Sequence, residues 1–220
     1  MCGRYALFRW LPALTALPGF PADQQPHWNI APGAHVLMVR HEAGQRHAAS
    51  ARWGLTPPWL TDWSRTPAQA RAETLADQPM FREAFRQRRC LLPANGFYEW
   101  QPLGDRQGGG KQPFYIHPVE GEFFALAGLW ERWTRPTDGE ELDTFTIVTT
   151  EANAAMRPLH DRMPVILAPG DWWAWLNGAT AADQVQALVR PCPEAALAAY
   201  PVSTAVGSVR NDAPALIQPV

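Results

Sequence analysis

The chain has no stretch of 18 or more consecutive apolar residues, and its first residues lack the basic and then apolar layout of a secretory signal peptide. We therefore expect neither a membrane span nor secretion, and we expect a cytoplasmic location. Disulfide and structural zinc frameworks are also not expected, because the three cysteines, Cys2, Cys90 and Cys192, are widely separated and form no CxxC pair. No metal and no other cofactor is predicted.

Lysine is almost absent, since Lys111 is the single lysine among 19 basic residues. The 21 acidic residues leave a formal net charge of -2, which argues against a generally basic nucleic-acid-binding protein but leaves room for a local basic patch. A genome rich in G and C would favour arginine codons in the same way. Nearly all positive charge is therefore carried by guanidinium groups, whose planar fork suits carboxylates and phosphates.

The pattern of short apolar segments predicts a fold with many strands and few helices. Hydrophobic residues make up 46% of the 220, enough for a sizeable core. Strands are predicted at residues 35–40, 49–53, 96–100, 113–117, 123–130, 145–150 and 164–168. Helices are predicted at 77–89, 170–176 and 180–190, and exposed loops at 104–112 and 134–143. We predict an α+β fold with one domain over residues 2–220, whose core is a curved or barrel-like, mixed, mostly antiparallel β-sheet with short peripheral helices.

The second residue, Cys2, becomes the first if the initiator Met1 is removed, and it then carries a free α-amine beside its thiol. An α-amine has a pKa of about 7.7–8.0 against about 10.4 for lysine, so it is roughly 300-fold more often neutral near pH 7. A neutral amine condenses with an aldehyde, and the adjacent thiol can then add to the imine and close a thiazolidine ring. A cysteine near a terminus is more often just a small apolar residue, so composition alone favours that second interpretation.

Eight strings along the chain resemble the motifs of one family. They are MCGRY at 1–5, NIAPG at 29–33, WGLTPPW at 53–59, ARAET at 70–74, CLLPANGFYEW at 90–100, FTIVTTEAN at 145–153, LHDRMP at 159–164 and VGSVRND at 206–212. In this order they resemble the SRAP (SOS-response-associated peptidase) family, whose members shield abasic sites in single-stranded DNA. The resemblance implies a covalent adduct of Cys2 with the ring-opened sugar of an abasic site, with Glu99 and His160 assisting proton transfer.

The residues around Glu99 and His160 fit these roles but also allow simpler ones. In a strand at 96–100, Phe97 and Glu99 project to one side, and a carboxylate among so many rings is poorly solvated, which raises its pKa. The alternative is an edge-strand glutamate that faces water. His160 has a reference pKa near 6.5 and can exchange a proton at neutral pH, but a lone histidine is more often a structural or surface residue.

One position departs from the family pattern. Where the family usually has asparagine, two residues before the arginine of the ARAET string, this chain has Gln69. Glutamine keeps the amide donor and acceptor but extends its reach by one methylene and adds rotamer freedom. We predict that crosslinking is retained at an altered rate.

The resemblance also implies residues that hold the DNA strand. Arg4, Asn29 and Arg71 match family residues beside the active-site groove, Arg162 is assigned to the same role, and Trp59 is the expected apolar wedge. Trp63 is a possible second wedge, although any single tryptophan is more often a core residue. Arg82, Arg86 and Arg89 share one predicted helical stripe, which is either a solvated face or a track for the DNA backbone.

We expect a monomer that links covalently to abasic sites in single-stranded DNA or at junctions with duplex, with no metal and no membrane partner. Two alternatives remain open at this point. One is an N-terminal-nucleophile cysteine amidohydrolase or peptidase, in which the Cys2 thiolate attacks an amide and the α-amine is the base. The other is a non-covalent module for single-stranded DNA.

Overall fold

The computed structural model describes residues 2–62, 64, 66–104 and 110–220. Its strands are β1 (Tyr5–Leu7), β2 (His27–Ile30), β3 (His35–Glu42), β4 (Gln45–Trp53), β5 (Gln69–Arg71), β6 (Arg89–Ala94), β7 (Gly96–Pro102), β8 (Lys111–Pro118), β9 (Phe124–Thr134), β10 (Glu141–Glu151), β11 (Arg162–Pro164), β12 (Ile166–Leu167) and β13 (Leu197–Pro201). The α-helices are α1 (Pro12–Thr15), α2 (Arg82–Gln87), α3 (Trp172–Leu176) and α4 (Ala182–Leu188). None of the helices in the described part of the chain is long and apolar enough to cross a membrane.

The larger sheet closes on itself. β10 pairs with both β4 and β9, and β4, β3, β6 and β9 pair in that order, so five strands complete a ring. β10 is parallel to β4 and to the short β5, whereas the other pairs of this sheet are antiparallel. The predicted α+β fold with a barrel-like, mostly antiparallel sheet and short peripheral helices is therefore confirmed.

A second sheet of five strands, in the order β13-β8-β7-β1-β2, packs against this barrel. The largest cluster of buried apolar side chains contains residues of both sheets, and the Tyr5 ring of β1 lies 5.3 Å from the Trp53 ring of β4. Gly96 lets β7 approach its neighbour closely, because a Cβ there would lie 2.4 Å from the Tyr115 ring. β7 also pairs with β1, with Gly96 opposite Ala6, so the chain start and β7 are fixed together at the junction of the two sheets.

Six of the predicted strands are found, most of them as parts of longer strands. The segment 164–168 is split between β11 and β12, which pair with different partners, β10 and β9. Strands β1, β2, β5, β6 and β13 were not predicted. They are short or follow directly on other elements, so local alternation gives them little signal.

The predicted helix over residues 77–89 was too long at both ends. Its first residues form a turn, and α2 begins only at Arg82. Pro79 disfavours helical backbone at Gln78, which explains why residues 77 and 78 are not helical. At the other end Arg89 belongs to β6, is 2% exposed and donates hydrogen bonds to the carbonyls of Phe85, Arg86, Trp175 and Asn177. The predicted three-arginine stripe is therefore wrong for Arg89, both as a solvated face and as a track for DNA. Arg82 and Arg86 are exposed, and their contact with DNA stays a prediction.

The predicted loop over 134–143 is also shorter than expected, since β9 extends to Thr134 and β10 starts at Glu141. The other predicted loop, at 104–112, includes residues 105–109, which lie outside the described part of the chain. The same holds for Trp63, the second candidate for an apolar wedge, and for Met1.

Candidate active site

Cys2 lies just before β1 and is fully buried. Burial raises the pKa of its thiol strongly, and the nearby negative charge of Glu99 raises it further, while the backbone N–H of Arg4 favours the thiolate. The thiol is therefore neutral at physiological pH. The pairing of Tyr5 in β1 with Phe97 in β7 brings the chain start beside the strand that carries Glu99, although 96 residues of sequence lie between Cys2 and Glu99.

Gln69 reaches the backbone of Cys2. The side chain stands at the start of β5, opposite Ile147 of β10, and its Nε2 donates a 2.8 Å hydrogen bond to the carbonyl oxygen of Cys2. The contact is to the main chain and not to the sulfur. This residue therefore fixes the position of the chain start, and an amide with a different reach would set that position differently.

Glu99 sits in the middle of the five-stranded sheet, where β7 is flanked by β1 and β8. The alternative of an edge-strand glutamate facing water is therefore wrong. The side chain is 2% exposed, and burial, aided by the charge of Asp161, raises the pKa of its carboxyl to about 7. At neutral pH this group is about half protonated, so it can both give and take a proton.

His160 ends a turn that begins at Asn153 and folds over the same face of β7 as Glu99. Gln101, two residues after Glu99 and on its side of the strand, donates a 3.2 Å hydrogen bond from Nε2 to the carbonyl of Pro158 in this turn. The backbone N–H of Arg162 donates to Nδ1 of His160 at 2.9 Å. The turn is thus tied to β7 on one side and to β11 on the other.

The protonation state of the His160 ring follows from two competing contacts. Burial lowers the pKa of the imidazole, and an acceptor role of Nδ1 toward the Arg162 N–H requires the neutral ring with its proton on Nε2. Asp161 Oδ1 lies 2.7 Å from the same Nδ1, and this contact instead needs a proton on Nδ1, so the two contacts cannot be made together. The Asp161 side chain is 84% exposed and is free to turn into water. We assign the neutral ring.

Arg4 and Asn29 tie the chain start to the C-terminal segment. Arg4 donates from Nη1 to Asn29 Oδ1 at 2.9 Å and to the carbonyl of Val206 at 2.8 Å, and from Nη2 to the carbonyl of Gly207 at 3.1 Å. Asn29 is 5% exposed and donates from Nδ2 to the carbonyls of Val206, Ser208 and Asn211. The structure therefore gives both side chains positioning contacts, and their direct contact with DNA stays a prediction.

Asp212 adds further contacts between the C-terminal segment and β2, and it was not predicted as a site residue from the sequence. Its carboxylate accepts hydrogen bonds from the backbone N–H groups of Trp28 and Asn29 and lies 2.7 Å from Nδ1 of His27. The only sequence signal for this role was its position at the end of the VGSVRND string. The C-terminal segment thus holds β2, and through Arg4 the chain start, in place.

Two arginines predicted to bind DNA flank the end of β10. Arg71, at the end of β5, pairs with Thr149 and is exposed, on the same side of its strand as Gln69. Arg162, at the start of β11, pairs with Glu151 and is engaged by Glu73 at 2.6 and 2.9 Å. Glu73 was not predicted as a site residue, although it lies inside the ARAET string.

Trp59 is 60% exposed and stands on a turn that is held rigidly. The N–H of Leu60 donates to the carbonyl of Pro57 at 3.0 Å, and the buried indole of Trp133 donates to the carbonyl of Leu60 at 2.6 Å. A large exposed ring on a fixed backbone can stack on a base without losing much conformational freedom.

Among the described residues, no group of three or more His, Cys, Asp or Glu side chains is arranged to hold a metal ion. Cys90 is fully buried, and Cys192 is 9% exposed with a thiol pKa raised by burial to about 11. Neither cysteine can acquire an α-amine beside its thiol, so neither can close the ring that is predicted for Cys2.

The sequence and the fold of this chain are similar to those of known proteins. The family model described as "SOS response associated peptidase (SRAP)" matches residues 1–209. The Abasic site processing protein YoqW of Bacillus subtilis is 38% identical over 99% of both chains, and the Abasic site processing protein YedK of Escherichia coli is 32% identical over the full length of both. A crystal structure of a protein from Bacteroides thetaiotaomicron, 22% identical, covers both chains completely with a TM-score of 0.86 and shares the fold. The chain belongs to the SRAP family.

Proposed function

We propose that this chain, acting as one domain from Cys2 onward, processes abasic sites in single-stranded DNA by forming a covalent thiazolidine with the open-chain sugar. The observation that carries the proposal is the burial of Glu99, with a carboxyl pKa of about 7, within electrostatic reach of Cys2. Relatives that match the chain over nearly their whole length are named abasic site processing proteins, which supports the same substrate.

The first step is imine formation at the α-amine that removal of Met1 gives Cys2. The neutral amine adds to C1 of the ring-opened sugar, and the resulting hydroxyl leaves as water after it accepts a proton from Glu99. The iminium nitrogen then returns a proton to the Glu99 carboxylate, which leaves the neutral imine. This step needs a protonated Glu99 and a neutral α-amine at the same time. With a carboxyl pKa near 7 and an amine pKa of about 7.7–8.0, the product of these two fractions is greatest between about pH 7 and 8.

The second step is addition of the thiol. The sulfur of Cys2 bonds to the imine carbon, and the thiol proton is transferred to the nitrogen, so S–H adds across C=N and no oxidant or cofactor is needed. A neutral buried thiol suits this step because the proton that it loses is the one that the ring nitrogen gains. In this scheme neutral His160 exchanges protons with the sugar oxygens during ring opening and during reversal.

The strand is held by groups around the same groove. Arg71 and Arg162 flank the end of β10 and supply guanidinium forks for phosphates, and Trp59 stacks on a base beside the gap or ends a duplex at a junction. Arg4 and Asn29 act in the first place by fixing the chain start. The protein works as a monomer in this scheme, because all of these groups come from one chain.

The test compares the wild-type protein with Cys2→Ala on an abasic single-stranded oligonucleotide under denaturing conditions. The wild type should give a heat-stable shifted band. Cys2→Ala keeps the α-amine but lacks the thiol, so it should give a band only when borohydride reduces the open imine. Cys192→Ala is the matched control and should crosslink like the wild type. Absence of any band for the wild type would refute the proposal and favour the amidohydrolase or the non-covalent module.

A further inference from the structure

Glu73 occupies the guanidinium fork of Arg162 in the way that a phosphate would. Its two carboxylate oxygens accept hydrogen bonds from Nη1 at 2.6 Å and from Nη2 at 2.9 Å. Carboxylates and phosphates both bind arginine in this two-point geometry. A DNA phosphate that approaches Arg162 therefore meets a fork that is already filled.

The two partners of this ion pair differ in how firmly they are held. Arg162 is 14% exposed and also donates from Nη2 to the carbonyl of Thr149 at 2.7 Å, so the end of β10 fixes its position. Glu73 is 51% exposed and lies on a single turn of 3-10 helix, Ala72–Thr74. If the pair separates, the side chain that moves into water is that of Glu73.

Arg71 provides a second cation beside the pair. It is exposed, and its charge acts on the Glu73 carboxylate together with the stronger hydrogen bond from Arg162. Two guanidinium groups, those of Arg71 and Arg162, therefore act on the one carboxylate of Glu73. These three side chains sum to a charge of +1, and loss of the Glu73 charge would raise the sum to +2.

We propose that Glu73 is a built-in competitor for the DNA backbone: it holds the fork of Arg162 in the free protein, and a phosphate of the incoming single strand displaces it. The inference rests on the proposed function, since it assumes that this groove binds DNA. A strand that places a phosphate on Arg162 therefore binds at the cost of breaking the Arg162–Glu73 ion pair. Removal of the Glu73 charge removes that cost.

The test measures binding of an unmodified single-stranded oligonucleotide, to which no crosslink can form, by fluorescence anisotropy at several salt concentrations. Glu73→Gln should bind about 2- to 5-fold more tightly at low salt, the range expected for release of an exposed ion pair. The gain should shrink as the salt concentration rises, because salt screens the exposed ion pair that the phosphate has to break.

Glu140→Gln is the matched control. Glu140 is also 51% exposed and also pairs with an arginine, Arg135, at 2.7 Å, but it precedes β10, whereas Thr149 lies near that strand's far end. Nine residues of extended chain separate the two points, roughly 30 Å. This variant changes the net charge by the same amount and should bind like the wild type.

A second variant separates competition from a structural effect. In an Arg162→Gln background, Glu73→Gln should give no gain in affinity, because the fork that it frees is gone. The proposal is overturned if Glu73→Gln binds no more tightly than Glu140→Gln, if it binds more weakly than the wild type, or if its gain persists without Arg162.

The same variants distinguish two outcomes: that the inference about Glu73 is wrong, and that the proposed function is wrong. On abasic oligonucleotide, Glu73→Gln should reach the wild-type maximal crosslinking rate at a lower DNA concentration. If crosslinking depends on Cys2 but this half-saturation point does not move, only the competitor role is wrong. If no variant crosslinks, the proposed function fails, while the anisotropy still reports on Glu73.

Discussion

The carboxyl of Glu99 gives the sharpest quantitative prediction. In the proposed mechanism, imine formation needs the α-amine neutral and Glu99 protonated. With a pKa of about 7, the carboxyl is about nine-tenths protonated at pH 6 and about one-tenth protonated at pH 8. The amine has a reference pKa of about 7.7–8.0 and changes in the opposite sense. The crosslinking rate should therefore pass through a maximum between about pH 7 and 8.

Glu99→Gln removes the proton donor but keeps the shape of the side chain. Loss of a general acid costs typically 10²–10⁴-fold in rate, so we expect the variant to crosslink about 100-fold more slowly or worse at pH 7. Its rate should rise with pH through the range of the amine and then level off. The assay is single-turnover crosslinking to an abasic oligonucleotide, quenched and resolved under denaturing conditions. A variant that retains the wild-type fall in rate above pH 8, or a rate close to wild type, would refute the role of Glu99.

The same raised pKa has a consequence for stability. Burial of an ionised Glu99 lowers the free energy of unfolding, because the carboxylate is solvated better in the unfolded chain. This loss of stability is absent below about pH 4.5, where the carboxyl is protonated in both states. It grows as pH rises and is complete above about pH 7, where the carboxyl is ionised in both states. A shift from 4.5 to about 7 corresponds to a ceiling of about 3 kcal/mol. In urea unfolding, Glu99→Gln should therefore be more stable relative to wild type at pH 8 than at pH 5, and an equal difference at both would contradict the burial argument.

Three further substitutions test separate parts of the structure. Gln69→Asn should change the crosslinking rate without abolishing the product, because its hydrogen bond to the Cys2 carbonyl places the chain start, and unchanged kinetics would contradict this. Trp59→Ala should weaken binding to single-stranded DNA by about 1–3 kcal/mol, whereas Trp173→Ala, at 53% exposure a matched control, should not, as measured by anisotropy. Arg89→Met should lower the free energy of unfolding by about 3 kcal/mol, because it leaves buried carbonyl acceptors without a donor, and urea denaturation measures this.

Much of the fold follows from local sequence, because alternation and turn residues mark strands such as 96–100 and 145–150 directly. The closure of the barrel does not, since the parallel pairing of β10 with β4 joins Phe145 to Trp53, which are far apart in the chain. Such pairings depend on the whole chain and leave no local pattern. The helix over 77–89 failed for a related reason, because the helical spacing of Arg89 says nothing of its pairing with Leu129 in β9.

In the candidate site, too, some features follow from local sequence and others depend on long-range strand pairing. The chemistry of Cys2 depends on its position after Met1, and Glu99 could be expected to have a raised pKa because its strand is rich in aromatic residues. The hydrogen bond from Gln69 to Cys2 and the occupation of Arg162 by Glu73 could not be predicted, since they depend on β5 and β11 flanking β10. Contacts between side chains that only the tertiary structure brings together cannot be predicted from local sequence.

Intact mass spectrometry of the crosslinked product tests the central claim most directly. The account predicts a single adduct whose mass equals the polypeptide beginning at Cys2 plus the abasic oligonucleotide, less one water molecule. An adduct that still carries Met1, or one that forms equally well with Cys2→Ala and no reductant, would contradict it.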